Sequence, residues 1–340
     1  MAVLCGRDAA ATREAAAKLG WENAATDWRA VVDDARLDAL DICTPNDLHA
    51  EIAIAAARAG KAIICEKPLA RNLREALQMV GAVKSARVTN MLCHNYRRVP
   101  AIALARQMIE RGEMGKRVYH FRARYAQDWI ADENFPLVWR LQADKAGSGA
   151  LGDLGAHIVD LARFLVGEID SISALSSTFI KKRRSKPGGA LRTVDVDDAF
   201  CAIGKFRNGA LLNLEATRFA RGRKNHLSFE INGSGGSIVF DLEKMNRLRF
   251  FDRRDRAHAH GFRDIIVTEP SHPYLENWWP PGHLLGYEHS VIHTVADFVC
   301  AVVSGKRVRP DFEDGFETQR VLDAIQRSGA QRGKPIRVSR

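Results

Sequence analysis

The segment 147-GSGALGDLGAHIVD-160 admits two folds. Its first six residues match G-x-G-x-x-G, the glycine fingerprint of a dinucleotide phosphate loop. The residues after them set Asp153 and His157 four apart, one helical turn, as an active site would. Under the first reading a nucleotide domain lies mid-chain; under the second it lies elsewhere and this helix carries chemistry. A phosphate loop follows an apolar strand and opens a helix within a βαβ unit. The residues before this one, 139-WRLQADKA-146, are polar and not strand-like, so the glycine spacing is a decoy. The helix that follows is amphipathic: Leu151, Leu154, Ile158, Leu161 and Leu165 recur at three- and four-residue steps. Asp153 and His157 project beside that stripe. Alone, they read as a capping carboxylate and a satisfied core histidine, and metal ligation has no second ligand cluster to support it. A functional reading needs a partner elsewhere.

The nucleotide domain is sought where strands and helices alternate. Strands are expected at 2–5, 37–43, 61–65 and 90–94. Between them come a helix capped by Asp8 and stopped by Gly20, an alanine-rich helix over 46–58 ended by Gly60, and a helix from Asn72 to about residue 86. This is the pattern of a parallel, doubly wound sheet. Such sheets bind ligands at the carboxyl ends of their strands. Those ends carry 43-CTPN-46, 65-CEKP-68 and 93-CHNYR-97, all polar. Beyond a helix at 101–111, strand-like runs recur at 118–125, 172–179, 199–206, 210–217, 227–231 and 237–240, with turns at 207-RNG-209 and 232-NGSGG-236. They predict a mostly antiparallel sheet. Two more helices are expected at 289–304 and 317–329. The fold class is therefore α/β: a Rossmann-like parallel sheet domain over 1–97, then an α+β domain over 98–340 with a large, mostly antiparallel sheet.

Bulk properties bound the function. A chain of 340 residues, 46% of them hydrophobic, is long enough for two cores. No apolar run spans a bilayer and no signal peptide opens the chain, so a cytoplasmic protein with no membrane partner is expected. The net charge of +10 is spread out, and its one dense run, 181-KKRR-184 beside 185-SKPGG-189, reads as a solvated loop. No aromatic-spaced basic stripe accompanies it, so no nucleic-acid partner is expected. The field favours a phosphorylated cofactor. Cys5, Cys43, Cys65, Cys93, Cys201 and Cys300 form no C-x-x-C and read as reduced, buried thiols, with no metal site.

Lys67 is the candidate partner for the Asp153/His157 helix. It ends an apolar strand between Glu66 and Pro68, and a residue before proline is held extended, which aims its ammonium over the sheet edge. There it is placed to polarise a substrate oxygen, while Glu66 and Lys67 also read as a plain solvated pair.

Together these residues resemble the glucose-fructose oxidoreductase/inositol dehydrogenase (Gfo/Idh/MocA) family. The matches run through 44-TPNDLHAEIAIAAARAGKAIICEKP-68, 94-HNYRRVP-100, 139-WR-140, 147-GSGALGDLGAH-157 and 310-PDFEDG-315. The segments 127-QDWIADENFPLVW-139 and 20-GWENAATDW-28 look closest to levoglucosan dehydrogenase-like members. The resemblance implies an NAD(P)-dependent oxidoreductase acting on a sugar or cyclitol hydroxyl, with Lys67, Asp153 and His157 as the catalytic trio. It implies Thr44, Pro45, Asn46, His49 and Glu66 on the cofactor side, with Trp139 and Arg140 reaching it from the second domain. Tyr96, Gln127 and Trp129 are substrate candidates, and a homo-oligomer (dimer or tetramer) through the C-terminal sheet is expected. Family members begin with a strand and a Gly-rich loop ahead of the segment corresponding to 2–5. This chain is expected to start at the family's second strand.

The end of that strand bears on the cofactor. In dinucleotide folds an acidic residue there binds the ribose 2′-hydroxyl, and a nearby arginine suits a 2′-phosphate. Here Gly6 and Arg7 follow 4-LC-5, which favours NADP, although Arg7 also reads as a plain loop residue and Asp8 as a helix cap. Resemblance to levoglucosan dehydrogenase-like members pulls towards NAD. Two rival readings are a non-catalytic nucleotide- or sugar-binding protein on the same fold and a metal-dependent hydrolase using Asp153 and His157.

Overall fold

The computed structural model describes residues 1–338. The chain divides into two compact units, 1–93 with 297–316, and 94–296 with the residues from 317 onward. Sequence alternation places a single break at 97/98; the contacts place it after Cys93 and return 297–316 to the first unit. Packing explains the return. Phe298 lies against Ala62, Ile64 and Met91, and Phe312 joins the core of Ile42, Ile63 and Leu92.

In the first unit β1 (Val3–Cys5), α1 (Ala9–Leu19), β2 (Asn23–Ala25), α2 (Trp28–Asp33), β3 (Ala39–Ile42), α3 (Asn46–Arg58), β4 (Ala62–Glu66), α4 (Leu73–Ala86) and β5 (Asn90–Cys93) follow one another. Every pairing is parallel, β1 with β2 and β3–β4–β5 in order. β1 and β3 share no ladder, so the sheet comes as a pair and a triple. The helix ends follow from local chemistry. Asp8 Oδ1 accepts from Ala11 N at 2.8 Å, and Asn72 Oδ1 accepts from Glu75 N at 3.0 Å. α3 buries Ala53, Ala56 and Ala57, whose small side chains let it lie close on Ile63 and Cys65.

The second unit opens with a 3₁₀ turn at Asn95–Arg98, then α5 (Pro100–Glu110), β6 (Val118–Ala126) and the short α6 (Ala143–Ala146). α7 (Ala156–Leu165), β7 (Ile169–Ser177), the small hairpin β8 (Lys182–Arg184) and β9 (Leu191–Thr193), β10 (Ala199–Phe206) and β11 (Leu211–Thr217) follow. After these come β12 (His226–Gly233), β13 (Gly236–Asp241), β14 (Arg247–Asp252) and β15 (Arg263–Ile266). α8 (Tyr287–Ser304), α9 (Phe312–Ala330) and β16 (Ile336–Arg337) complete the chain, with the boundary between units falling within α8 and α9. Nine strands form one sheet in the order β15-β14-β13-β12-β6-β11-β10-β7-β16. All its ladders are antiparallel except β6–β11. One face packs on Ile102 of α5, Ile158 and Leu161 of α7, and Ile325 of α9. The other leaves Leu175, Ile203 and Leu211 more than half exposed.

Two expectations are corrected. Arg183 is not part of a solvated loop: it is 1% exposed and donates to the carbonyls of Ile130, Asp132 and Phe135, so the basic run supplies an internal clamp on the 130–135 loop. All six thiols are free as expected, but only Cys65 is buried; Cys5, Cys43 and Cys201 lie at the surface on or just after short or half-open strands, and Cys300 is exposed on α8. No helix among the described residues is long and apolar enough to cross a membrane.

Candidate active site

In the first unit the loops after β3 and β4 are pinned together by His49. Its ring is fully buried, with Nδ1 3.0 Å from the Pro68 carbonyl and Nε2 3.0 Å from the Thr44 carbonyl. Burial holds its pKa below the ordinary histidine value. His49 therefore shapes the 44–46 and 66–68 turns through their backbones. Thr44 presents a buried hydroxyl with no hydrogen-bond partner among the described residues, and Pro45 then Asn46 open α3, a thirteen-residue helix with no side-chain cap at its N-terminus. An orphaned hydroxyl beside a helix N-terminus fits a phosphorylated dinucleotide. Glu66 Oε2 accepts from the Lys67 amide at 3.2 Å, and both residues are half-buried. The Lys67–Pro68 bond is cis. Arg7 is exposed after β1, and among the described residues its side chain has no hydrogen-bond or ion-pair partner. Gly6 has a local reason to be glycine, since a Cβ there would lie 2.5 Å from Thr12 Oγ1.

In the second unit the glycine-rich stretch binds an internal carboxylate. Asp197 accepts from Gly149 N at 2.7 Å and Leu151 N at 2.8 Å, and its carbonyl accepts from Ala150 N at 3.0 Å. The amides that a phosphate loop would offer to a nucleotide are occupied by the protein itself. Gly149 permits this approach: a Cβ would stand 1.7 Å from the Asp197 carbonyl oxygen and 2.7 Å from Arg218 Nη2. The loop then enters a π turn, Leu151–Gly155, that carries Asp153 at its centre and continues as α7 with His157 in its first turn. Isolated π turns of this kind recur at functional sites. The whole apolar stripe foreseen for this helix is buried.

His157 is 7% exposed and enclosed by rings. Tyr96 lies 4.5 Å away between centroids, Tyr125 5.8 Å and His94 5.9 Å. The Tyr96 and Tyr125 hydroxyls are 2.7 Å apart, and Tyr125 donates to Asn225 Oδ1, also at 2.7 Å. Gln127 Nε2 donates to the same Asn225 oxygen at 2.8 Å. Burial pushes both phenols well above the ordinary tyrosine value, so they are neutral hydrogen-bonding groups. Tyr96 is only 2% exposed, which makes it a wall of the His157 pocket. Below this cluster Arg97 grips Asp160 through Nε at 2.8 Å and Nη2 at 2.6 Å. Complete burial works against that carboxylate, yet Arg97, with His94 and Arg163, holds it below the usual range.

Trp129 packs on Phe135 at 5.3 Å within a small core of Ile130, Leu137 and Leu141. Arg140 is exposed and stacks over the half-buried Trp139 ring at 4.4 Å. Asp197, Arg218, Asn225 and Asp160 were not singled out from sequence. The carboxylate-dense run 195-DVDD-198 was the one local hint. Among the described residues, the group of three with metal-ligand spacing is His226, Asp241 and Glu243, which includes neither Asp153 nor His157; Arg223 pairs with its Glu243 at 3.0 Å.

The chain thus joins a parallel α/β unit to a unit built on a large sheet, and the second carries Asp153 and His157 on a π turn and the helix after it. Residues 1–94 match the Gfo/Idh/MocA oxidoreductase family with its NAD-binding Rossmann fold, and residues 102–239 match the Gfo/Idh/MocA C-terminal domain. A levoglucosan dehydrogenase of Pseudarthrobacter phenanthrenivorans is 47% identical over 331 residues, 94% of this chain and 84% of its own length. An oxidoreductase domain protein from Kribbella flavida has a solved structure that superposes with a TM-score of 0.96 at 52% identity, over 100% of this chain and 90% of that one. A levoglucosan dehydrogenase in complex with NADH and levoglucosan superposes with a TM-score of 0.95 at 46% identity, over 99% and 90%. The chain belongs to the Gfo/Idh/MocA oxidoreductase family.

Proposed function

We propose that this protein is an NAD(P)-dependent dehydrogenase of a sugar or cyclitol hydroxyl, with levoglucosan and related anhydrosugars as its leading substrates. The observation that carries this reading is the Asp153/His157 turn, with the imidazole buried among Tyr96, Tyr125 and His94. Identity with the levoglucosan dehydrogenase supports the substrate class.

Thr44, Pro45, Asn46 and Arg7 are assigned to the dinucleotide, with Glu66, Trp139 and Arg140 as further cofactor contacts; His49 serves by holding the 44–46 turn. Bound nicotinamide supplies the two-electron acceptor for the hydride that leaves the carbinol carbon. The protein handles the proton and the charge. His157 takes the hydroxyl proton, a role suited to an imidazole near neutral pH. Lys67 donates a hydrogen bond to the same oxygen and stabilises its developing negative charge. Asp153 holds Lys67 or a neighbouring substrate hydroxyl in line. Gln127 and Asn225, bonded to each other, offer amides to ring hydroxyls, and Trp129 and Trp139 offer flat apolar faces. The open face of the second unit's sheet, with Leu175, Ile203 and Leu211, is assigned to contact with a second copy of the chain.

The test is reduction of NAD and NADP in the presence of a panel of anhydrosugars, pyranoses and inositols. Turnover is expected with at least one of them. His157→Ala and Lys67→Ala should each fold normally, and His157→Ala should lose about 10²–10⁴-fold in kcat. Cofactor binding without turnover on any member of the panel would favour the non-catalytic reading instead.

A further inference from the structure

We propose that Arg218 is a positioning residue for the reaction, keeping Asp153 ionised and fixed in orientation; this rests on the assignment of Asp153 to the chemistry. Arg218 follows β11 and is completely buried. Its guanidinium lies between the glycine loop, the Arg140 carbonyl and Asp153. Nη2 donates to the Asp197 carbonyl at 2.9 Å, beneath the glycine loop. Nη1 donates to the Arg140 carbonyl at 3.3 Å and stands 3.9 Å from Asp153 Oδ2. The Trp129 ring lies 5.7 Å from its central carbon.

Three carboxylates surround Arg218: Asp153 on the π turn, and Asp197 and Asp198 just before β10. The latter two are already held by backbone amides. Gly149 and Leu151 donate to Asp197, and Phe179 and Ile180 donate to Asp198. The strong bonds of Arg218 itself go to neutral carbonyls, and its Nε–H is buried with no partner. Its positive charge is thus not consumed in a bidentate carboxylate pair. It acts as a field on Asp198 Oδ1, 3.8 Å from Nη2, and on Asp153, whose side chain is 22% exposed and so less screened than a surface acid. Charged or titratable groups near the pair include Arg140, Arg183 on β8, Tyr125 on β6 and, one turn on from Asp153, His157. Arg140 and Arg183 add positive charge, and Tyr125 is neutral. Lysine could not replace Arg218, because a single ammonium cannot span two carbonyls while facing the aspartate.

A cation beside a carboxylate lowers its pKa, so removal of Arg218 should raise that of Asp153. The experiment is the pH profile of kcat/KM for the full chain, wild type against R218Q and R218K, with circular dichroism as a check on folding. If Asp153 must be charged, the acid limb of R218Q should move to higher pH by about one unit or more. In a D153N background, R218Q should produce no further movement. R218K should keep the acid limb near its wild-type position while lowering kcat. A folded R218Q whose kcat falls with its acid limb unmoved would overturn the proposal and leave Arg218 a structural residue. Should R218Q not fold, the wild type still decides: the carboxyl infrared band that D153N deletes should titrate below the ordinary aspartate range, and titration at or above that range would sink the idea. If no sugar or cyclitol supports turnover, the functional reading falls, while the infrared titration still tests Arg218.

Discussion

Arg7 stands exposed between β1 and α1, with no side-chain partner among the described residues, next to a glycine whose absence of side chain Thr12 already explains. The glycine therefore no longer argues for NADP by itself, whereas the unengaged guanidinium still can bind a 2′-phosphate bidentately. Arg7→Ala is expected to weaken NADP about tenfold, with NAD unaffected, as read from KM for each cofactor. Equal response to both, or indifference to both, would show that Arg7 does not read the 2′-position. At this scale, sequence carried residue types well and residue partners poorly. Asp8 and Asn72 were legible as caps because a cap bonds within three residues of itself. Tyr96 was legible as a polar aromatic, but its bond to Tyr125 spans 29 residues and no local pattern records it.

The glycine-rich helix entry shows why an element needs its neighbours. G-x-G-x-x-G describes a backbone able to present amides to an anion, and that is what 147–152 does. The acceptor is the Asp197 side chain, 48 residues on from Gly149. Gly149→Ala should cost about 3 kcal/mol or more, since its Cβ meets backbone rather than a side chain that can swing away. Chemical denaturation would measure it, with Ser148→Ala as a neighbour expected to change little. A stability within about 0.5 kcal/mol of wild type would mean that the loop does not depend on this contact. Strands were read in the same uneven way. Those with apolar residues on alternate positions, such as β10 and β13, were found. β14 also alternates, burying Leu248 and Phe250, but its other face is Arg247 and Arg249, and the charges masked it.

At the scale of the whole molecule, the open face of the nine-stranded sheet is the feature that calls for a partner. Leu175, Ile203 and Leu211 stand on it, on the adjacent strands β7, β10 and β11, and Arg124 and Glu215 form an ion pair at 3.1 Å on β6 and β11. Such a patch on a large sheet is unusual for a monomer. The native mass by light scattering is expected to be that of a dimer or tetramer. Ile203→Asp, which places a charge on this face and touches no core residue, should reduce it to a smaller species. A monomeric wild type, or a variant with unchanged mass, would remove the assembly from consideration.

Local chemistry in the sequence determined the alternation of β1, β3, β4 and β5 with α1, α3 and α4, though not the short β2 and α2, and the pairing of Asp153 with His157 on one turn. These depend on periodicity and on bonds that close within a few residues, so they survive without knowledge of the rest of the chain. Only the tertiary structure decided what occupies the glycine loop, which unit holds 297–316, why Arg183 is buried, and that Arg218 lies between Asp153, Asp197 and Asp198. Each is a choice among distant partners of similar chemistry. Many aspartates could accept those amides and many arginines could face Asp153; which ones do depends on packing, and packing is a property of the folded chain.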